Sequence, residues 1–359
     1  MDLNEIGVAS TALAIIWAVL LAVLGSPPTA RLFVRWCLCL LIVAGSPAAY
    51  AAKSFAVGTY QQSDGAITVR ANGDSVDPYF ASRALTLADE SGLDVRATAM
   101  PWIRWTIEKQ LPDGRLQRYC RSSSENWSAC QTADADDAGL AVWLELLFRM
   151  APDTGLPSAW QASATRAGNF LETLHDPGSG LYFVSPDLHA CLLMDNVEIY
   201  HSLRVIATAN RRFGRPAQAR YHELKARQLA RAIVAKLWVP RTQEFRASTQ
   251  ISATKAFYPD GVAQVYPWLF EMPTPAGDPK TAFRRWLRPY RNLWLRRQAD
   301  QFPWGIVALL AYRMADCATV SRWMASVGPL QGSAYWTVLD ETLFQLFEQH
   351  PLGVPAPSR

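Results

Sequence analysis

From residue 75 onward, stretches with apolar residues at helical spacing follow one another without a break. Helices apolar on most sides take turns with helices that carry a single apolar stripe. The spacing predicts helices near 77–91, 97–110, 135–150, 157–174, 195–210, 216–238, 260–271, 279–297, 302–315, 317–327 and 334–348. In 141–149 (Ala-Val-Trp-Leu-Glu-Leu-Leu-Phe-Arg) and 306–312 (Ile-Val-Ala-Leu-Leu-Ala-Tyr) apolar positions wrap most of the helix, so both are expected to be buried on several sides. The Arg-rich stretches 216–238 and 279–297 have one stripe and read as surface helices. Buried members (77–91, 135–150, 195–210, 260–271, 302–315, 334–348) thus alternate with more amphipathic ones, six inner helices against five outer. Consecutive hairpins of this kind predict an all-α fold, an (α/α)6 toroid. A helical-repeat solenoid is the competing arrangement, but no fixed-period self-similarity supports it. Period-2 runs are limited to short candidate strands around 66–70 and 181–184.

Ahead of the toroid, residues 6–24 form an uncharged apolar run of 19, long enough to cross a bilayer, and Gly25-Ser-Pro-Pro28 ends it. Arg31 and Arg35 then precede a second apolar stretch, 36–44, which leads to Ala49-Tyr50-Ala51. A basic start, a short apolar segment and an Ala-x-Ala ending read as a signal peptide cleaved after Ala51. Either the start lies near residue 31 and the signal is removed, the favoured reading, or two membrane helices are kept. Both place the rest of the chain outside the cytoplasm, in the periplasm or anchored to the inner membrane facing it. The expected division is a leader (1–52), a linker or short strands (53–74), the toroid (75–350) and a tail (351–359). Cys120 and Cys130 flank the polar loop 121–129 and suit a disulfide in an oxidising compartment, whereas Cys191 and Cys317 read as lone core thiols. A net charge of +4 over 359 residues is too weak a field for a nucleic-acid partner.

The segments that open the inner helices are rich in carboxylates and aromatics. They are Asp77-Pro-Tyr79, Asp134-Ala-Asp136-Asp137, Asp195-Asn-Val-Glu198 with Tyr200 and His201, Tyr258-Pro-Asp260, Phe302-Pro-Trp304, and Tyr335-Trp336 with Asp340 and Glu341. Any one Asp is explained as an N-cap that accepts from free N–H groups. Three Asp within 134–137 exceed what one cap needs, since extra like charges repel unless they meet water or a ligand. In a toroid these helix starts converge on one cavity, and acids beside Tyr and Trp describe a sugar groove. Aromatic faces stack on pyranose rings, carboxylates accept from hydroxyls, and glycoside hydrolysis needs one protonated and one ionised carboxyl. Asp195 and Glu198, at i and i+3, share one helical face and serve either as first-turn dipole partners or as acid and substrate contact.

Two passages resemble glycoside hydrolase family 8, which includes endoglucanases of bacterial cellulose synthesis. The run Leu111-Pro-Asp113-Gly to Tyr119, Trp127 and Thr132 to Leu147 is similar to that family's "DG…W…SDADLDIAWALL" passage. The segment Phe257-Tyr258-Pro-Asp260-Gly-Val-Ala-Gln-Val-Tyr266-Pro-Trp268 looks like its "YDAIRVYLW". The resemblance implies an (α/α)6 toroid, an inverting mechanism, Asp260 as the base that activates water, and Asp136 as a sugar-contacting acid, with Asp134 and Asp137 as neighbours in register. The family's acid is a Glu in "SEGxxYG"; here that place reads Asp74-Ser-Val-Asp77-Pro-Tyr79, so Asp77 stands in for it.

Taken together, the expectation is an exported hydrolase of a β-linked exopolysaccharide, served by no cofactor and no metal. Asp260 is its base and Asp77 or Glu198 its acid. Asp134, Asp136, Asp137, Asp195, Tyr119, Trp127, Tyr258, Trp268 and Trp304 hold sugar, so Asp136 and Asp260 are expected on one cavity. A non-catalytic glycan-binding or assembly component with a degenerate site is the alternative. A polysaccharide lyase using His201, Tyr200 or Tyr258 with Asn196 is another. Expected partners are the polysaccharide, the membrane if the leader is kept, and the secretion machinery. The acid-free run 280–297, with seven Lys and Arg, is a solvated outer face or a contact for anionic headgroups or polymers.

Overall fold

The computed structural model describes residues 55, 57–122, 126–250, 254–298 and 300–350. The leader and tail expected for 1–52 and 351–359 lie outside the described residues. No helix among the described residues is long and apolar enough to cross a membrane.

Eleven α-helices are described: α1 (Pro78–Glu90), α2 (Arg96–Lys109), α3 (Asp136–Met150), α4 (Ser158–Thr173), α5 (Leu193–Arg212), α6 (Pro216–Leu237), α7 (Val265–Leu269), α8 (Pro279–Leu295), α9 (Gly305–Arg313), α10 (Cys317–Val327) and α11 (Val338–Gln349). The odd-numbered helices are the inner ones. Each packs on the next, α1 on α3, α3 on α5, α5 on α7, α7 on α9 and α9 on α11, and α11 returns to α1. The inner ring is therefore closed, and its helices are parallel members of hairpins whose other arms lie outside. Residues 55–74 tie the two ends of the ring together. Val338 N–H donates to Val69 O at 2.8 Å, the Arg70 Nε–H to Ala334 O at 2.8 Å, and the Gln61 amide to Thr98 O at 2.8 Å. Gly65 passes so close to α2 that a Cβ there would lie 2.6 Å from Pro101 O, and its φ of +99° also favours glycine.

The tryptophan load bolts outer helices to inner ones. A buried indole N–H needs an acceptor, and each of these finds one across a hairpin. Trp102 of α2 donates to Ser82 of α1, Trp143 of α3 to Ser163 of α4, and Trp323 of α10 to Pro303 O just before α9. The fourth inner position departs from the expected helix 260–271. Pro259 and Pro267 each lack an N–H, and the segment breaks into a π-type turn, Phe257–Gly261, and the short α7. Gly261 O accepts from Trp286 of α8, which holds the turn against the ring.

Small antiparallel strands sit in the loops: β1 (Ser75–Val76), β2 (Gln117–Cys120), β3 (Ser128–Thr132), β4 (His175–Asp176), β5 (Leu181–Tyr182), β6 (Trp238–Val239) and β7 (Glu244–Phe245). The strand expected at 66–70 is reduced to a single bridge, Gln61 to Ile67. The β2–β3 hairpin was not anticipated. β1 pairs with β2 and β2 with β3, and a disulfide joins Cys120 to Cys130 across the hairpin. Closing a loop of this size contributes about 2–3 kcal/mol in the chain-entropy account. Cys191 is buried, but Cys317, at the first position of α10, is exposed and not a core thiol.

Candidate active site

At the end where the inner helices begin, a cavity of about 360 Å³ opens between their N-termini. Asp77, the N-cap of α1, accepts from the Tyr79 N–H at 3.0 Å and also faces the cavity, so capping and lining coincide in one residue. Its other oxygen accepts from Arg118 of β2 at 2.7 Å. Burial nevertheless pushes the Asp77 carboxyl up, with the Arg118 charge opposing. From the first two turns of α5, Asp195 and Glu198 reach the same space, as their i, i+3 spacing allows. From the α7 and α9 sides come Tyr258, Tyr266, Asp300, Phe302 and Trp304, and from α11 Asp340. Tyr258 stacks on Trp304 with ring centroids 4.6 Å apart and planes inclined by 25°, forming one aromatic wall.

The acids differ in environment. Asp195 is buried and raised to about 7, first by desolvation and then by Glu198. Behind it lies Asp137, fully buried in the first turn of α3 and raised well above the usual carboxylate range by burial and by Asp195. Two carboxyls at hydrogen-bond range in a dry site hold a proton between them. Asp137 therefore supports Asp195 rather than lining the cavity. Asp340 is raised to about 6 by burial, but its oxygens are occupied by the Thr337 capping box and the Gly305 N–H, so it reads as structural. Glu198 accepts from the Tyr79 hydroxyl at 2.9 Å and lies 2.9 Å from Arg83, which is itself wholly buried; desolvation raises its carboxyl against that charge.

Of the residues expected to hold sugar or do chemistry, Asp77, Asp134, Asp195, Glu198, Tyr258 and Trp304 are brought together here. The remaining candidates lie elsewhere. Asp260 does not line the cavity: its carboxylate accepts from Ala256 N–H at 2.9 Å, and its charge acts on Lys255 and Tyr290. The broken segment is the reason, because the turn that carries Tyr258 inward turns Asp260 back on its own backbone. Asp136 is raised to about 6 by burial among Arg115, Asp113 and Asp187, away from the lining, so the expected facing of Asp136 and Asp260 does not occur. Tyr119 and Trp127 pack around Trp105 at 5.2 and 6.4 Å, and the Tyr119 hydroxyl donates to Lys109 O. Trp268 packs against the core. Of the lyase candidates, Tyr200 and His201 face the opposite end of the ring, and Asn196 is buried against the Tyr182 backbone. The sequence reading missed Arg118, Asp300 and Tyr266, which come from loops and from the broken fourth helix.

A larger hollow, about 1100 Å³, lies at the other end, where the inner helices finish. Three of its arginines are engaged with backbone carbonyls at helix ends. Arg96 donates to Met150 O, Arg212 to Phe148 O and Ala151 O, and Arg313 to Leu269 O, neutralising the negative helix ends. From the buried pair Arg83 and Glu145 an ion network runs out to the lining of this hollow. Arg83 meets Glu145 at 3.3 Å, Arg149 meets Glu145 at 2.8 Å, and Arg313 meets Glu90 at 3.1 Å. Glu90, Glu145 and His201 have ligand atoms within 4.8 Å of one another, a spacing that fits a cation, but these arginines already neutralise the carboxylates.

No protein-family model matches the chain, and no curated protein matches it in sequence. The fold, in contrast, is widely matched. A D-mannose isomerase aligns at 11% identity over 82% of this chain and 94% of its own, with a TM-score of 0.54. A GH63 mannosylglycerate hydrolase from Thermus thermophilus, in complex with glucose, aligns at 11% over 81% and 97%, TM-score 0.52. An alpha-amylase from Clostridium perfringens aligns at 11% over 80% and 93%, TM-score 0.50. The chain thus has the (α/α)6 toroid fold that these proteins share, and nothing ties it to family 8 in particular. An isomerase and hydrolases share this ring, so the reaction has to be argued from the site.

Proposed function

We propose that the protein is a carbohydrate-active enzyme that hydrolyses glycosidic bonds in the cavity at the inner-helix starts. The observation that carries this reading is the pairing of a stacked Tyr258–Trp304 wall with buried carboxyls from two inner helices, Asp195 and Asp77. Asp195, raised to about 7 and backed by Asp137, suits the proton donor to a departing sugar oxygen. Asp77, beside the Arg118 guanidinium, suits the ionised partner that stabilises or activates water against the sugar carbon. Glu198 and Arg83 keep the floor beneath them rigid. The test is a screen of the purified protein against β-linked glucans, mannans, hexosamine and uronate polymers, reading new reducing ends. Hydrolysis of at least one supports the reading. Binding without hydrolysis moves the protein to the non-catalytic alternative, and an unsaturated product absorbing in the ultraviolet moves it to a lyase.

The substrate class extends to an exopolysaccharide met outside the cytoplasm, in the periplasm or at the inner membrane facing it, with the secretion machinery and the membrane as partners. The Cys120–Cys130 disulfide supports this, since such bridges persist in oxidising compartments. Trapping thiols at the moment of cell lysis is expected to find both cysteines oxidised. A reduced pair in the trapped protein would argue for a cytoplasmic enzyme instead.

A further inference from the structure

Charge is segregated along the chain. Residues 216–298 hold fifteen Lys and Arg against five Asp and Glu, while the remainder holds twenty against twenty-six. The net charge of +4 is therefore a sector of +10 set against a remainder of −6. The fold keeps the sector together in space. The β6–β7 hairpin, which follows α6 directly, meets α8 where Arg285 donates to the Gln243 side chain, and the charge of Glu244 acts on Tyr290. Two outer arms and the turn between them thus make one basic face, away from the cavity at the inner-helix starts.

On α8 the cations form a stripe. Phe283, Trp286, Leu287 and Trp294 are buried against the ring, and Lys280, Arg284, Arg288 and Arg291 are exposed. At 100° per residue those four fall within an arc of about 80°, over a length of about 16 Å. Arg227, Arg231 and Lys236 of α6 and Arg241 and Arg246 of the hairpin are exposed as well. None of these nine forms an ion pair among the described residues. The acids of the sector are committed elsewhere, Glu223 to Arg211, Glu244 to Lys255 and Asp278 to the N-cap of α8. Like charges at i, i+4 repel, so the stripe opposes its own helix until an anion meets it.

Anions arrive either on a soluble polymer or on a bilayer, and two observations favour the bilayer. First, a groove of about 620 Å³ opens beside the stripe, between α6 and the loop that leads into α8. Ala230, Val234, Ala235, Pro273 and Pro275 line it, with Arg227 and Arg231 at its edge. Cations beside an apolar groove match a phospholipid, which carries both a charged head and an acyl chain. Second, Asp77, Asp134, Asp195 and Asp300 line the cavity, so an anionic polymer held on this face would be repelled from the site it should feed. We infer that α6, the β6–β7 hairpin and α8 form a docking face for a bilayer that bears anionic headgroups. The inference goes beyond the hydrolase reading and does not rest on it.

The experiment is co-sedimentation of the purified full chain with two sets of vesicles, pure phosphatidylcholine and phosphatidylcholine with roughly one-third phosphatidylglycerol. Binding to the uncharged set measures what the leader contributes, and the excess on the charged set reports the face. That excess is expected to be at least about tenfold, since each cation near an anionic surface is worth about a fivefold gain, and it should collapse in 0.5 M salt. Arg284→Gln, Arg288→Gln and Arg291→Gln together should cut it about 10- to 100-fold with the circular dichroism unchanged. The same three positions changed to Lys should keep it, because a headgroup surface reads charge rather than guanidinium shape. Equal partition on both vesicle sets, or a Gln variant that binds like the wild type, overturns the inference. Release of the bound protein by a polyuronate at equal charge concentration overturns it in favour of a polymer. The hydrolase claim fails separately. A protein inert on every glycan keeps this inference, and an active hydrolase indifferent to headgroup charge loses it.

Discussion

Replacing Arg83 with Met is expected to destabilise the protein by about 3–5 kcal/mol, the range seen when one partner is removed from a buried ion network. Arg83 has no exposed surface and sits on the inner face of α1, between Glu145 of α3 and Glu198 of α5, with Phe270 5.2 Å away under its guanidinium. Without it, Glu198 keeps only the Tyr79 hydroxyl, and Glu145 relies on Arg149 and Ser202. Burial already opposes the charge of Glu145, and only the neighbouring His201, Arg149 and Arg83 hold its carboxyl well below the ordinary range. The cost lies in the stranded carboxylates rather than in lost packing, because Met fills most of the space. Arg83→Met combined with Glu145→Gln and Glu198→Gln is therefore expected to recover much of the loss. Urea unfolding followed by tryptophan fluorescence measures both. A single variant within about 1 kcal/mol of the wild type, or a triple variant weaker than the single one, would show that the network does not brace the ring.

That network also shows where sequence reasoning reaches and where it stops. The alternation of buried and striped helices was legible because periodicity is a local signal, and it led to inner and outer arms that the closed contact ring shows directly. Asp77, Asp195 and Trp304 were legible for the same reason, since each opens an inner helix. Asp260 was misplaced because its role came from a short resemblance, while the local physics of Pro259 and Pro267 breaks the helix and lets Tyr258 take the inward place. Tyr119 and Trp127 lie beside a polar loop in sequence, yet the β2–β3 hairpin folds them onto Trp105. The proton shared by Asp137 and Asp195 had no sequence signal, because the two residues lie in different hairpins and meet only when the ring closes. Arg83 and Glu145 were invisible likewise: a charge inside an apolar helix announces burial only once its partner is known.

Replacing Asp195 with Asn is expected to reduce glycosidic hydrolysis about 10²- to 10⁴-fold, the usual contribution of a positioned proton donor. Binding should survive, since Asn fills the same space and keeps an acceptor. In the wild type the donor must carry its proton, so activity should fall as pH rises through about 7. Any residual activity of the variant should lack that limb. Stability should move the other way. The Asp195 carboxyl is raised in the folded protein, so the native state binds its proton more tightly than the unfolded chain does. The fold is then most favoured below the unfolded value and loses stability as pH climbs from about 4 to about 7, after which the term is constant. A shift of this size corresponds to a few kcal/mol, roughly 1.4 per pH unit, shared with Asp137 because the two titrate together. Asn removes that burden and can donate to Asp137. The variant should therefore melt higher than the wild type at pH 8 and about level with it at pH 4. Activity within threefold of the wild type would remove Asp195 from the chemistry. A variant equally destabilised at both pH values would mean that the carboxyl pair is ordinary packing, with no strain held for catalysis.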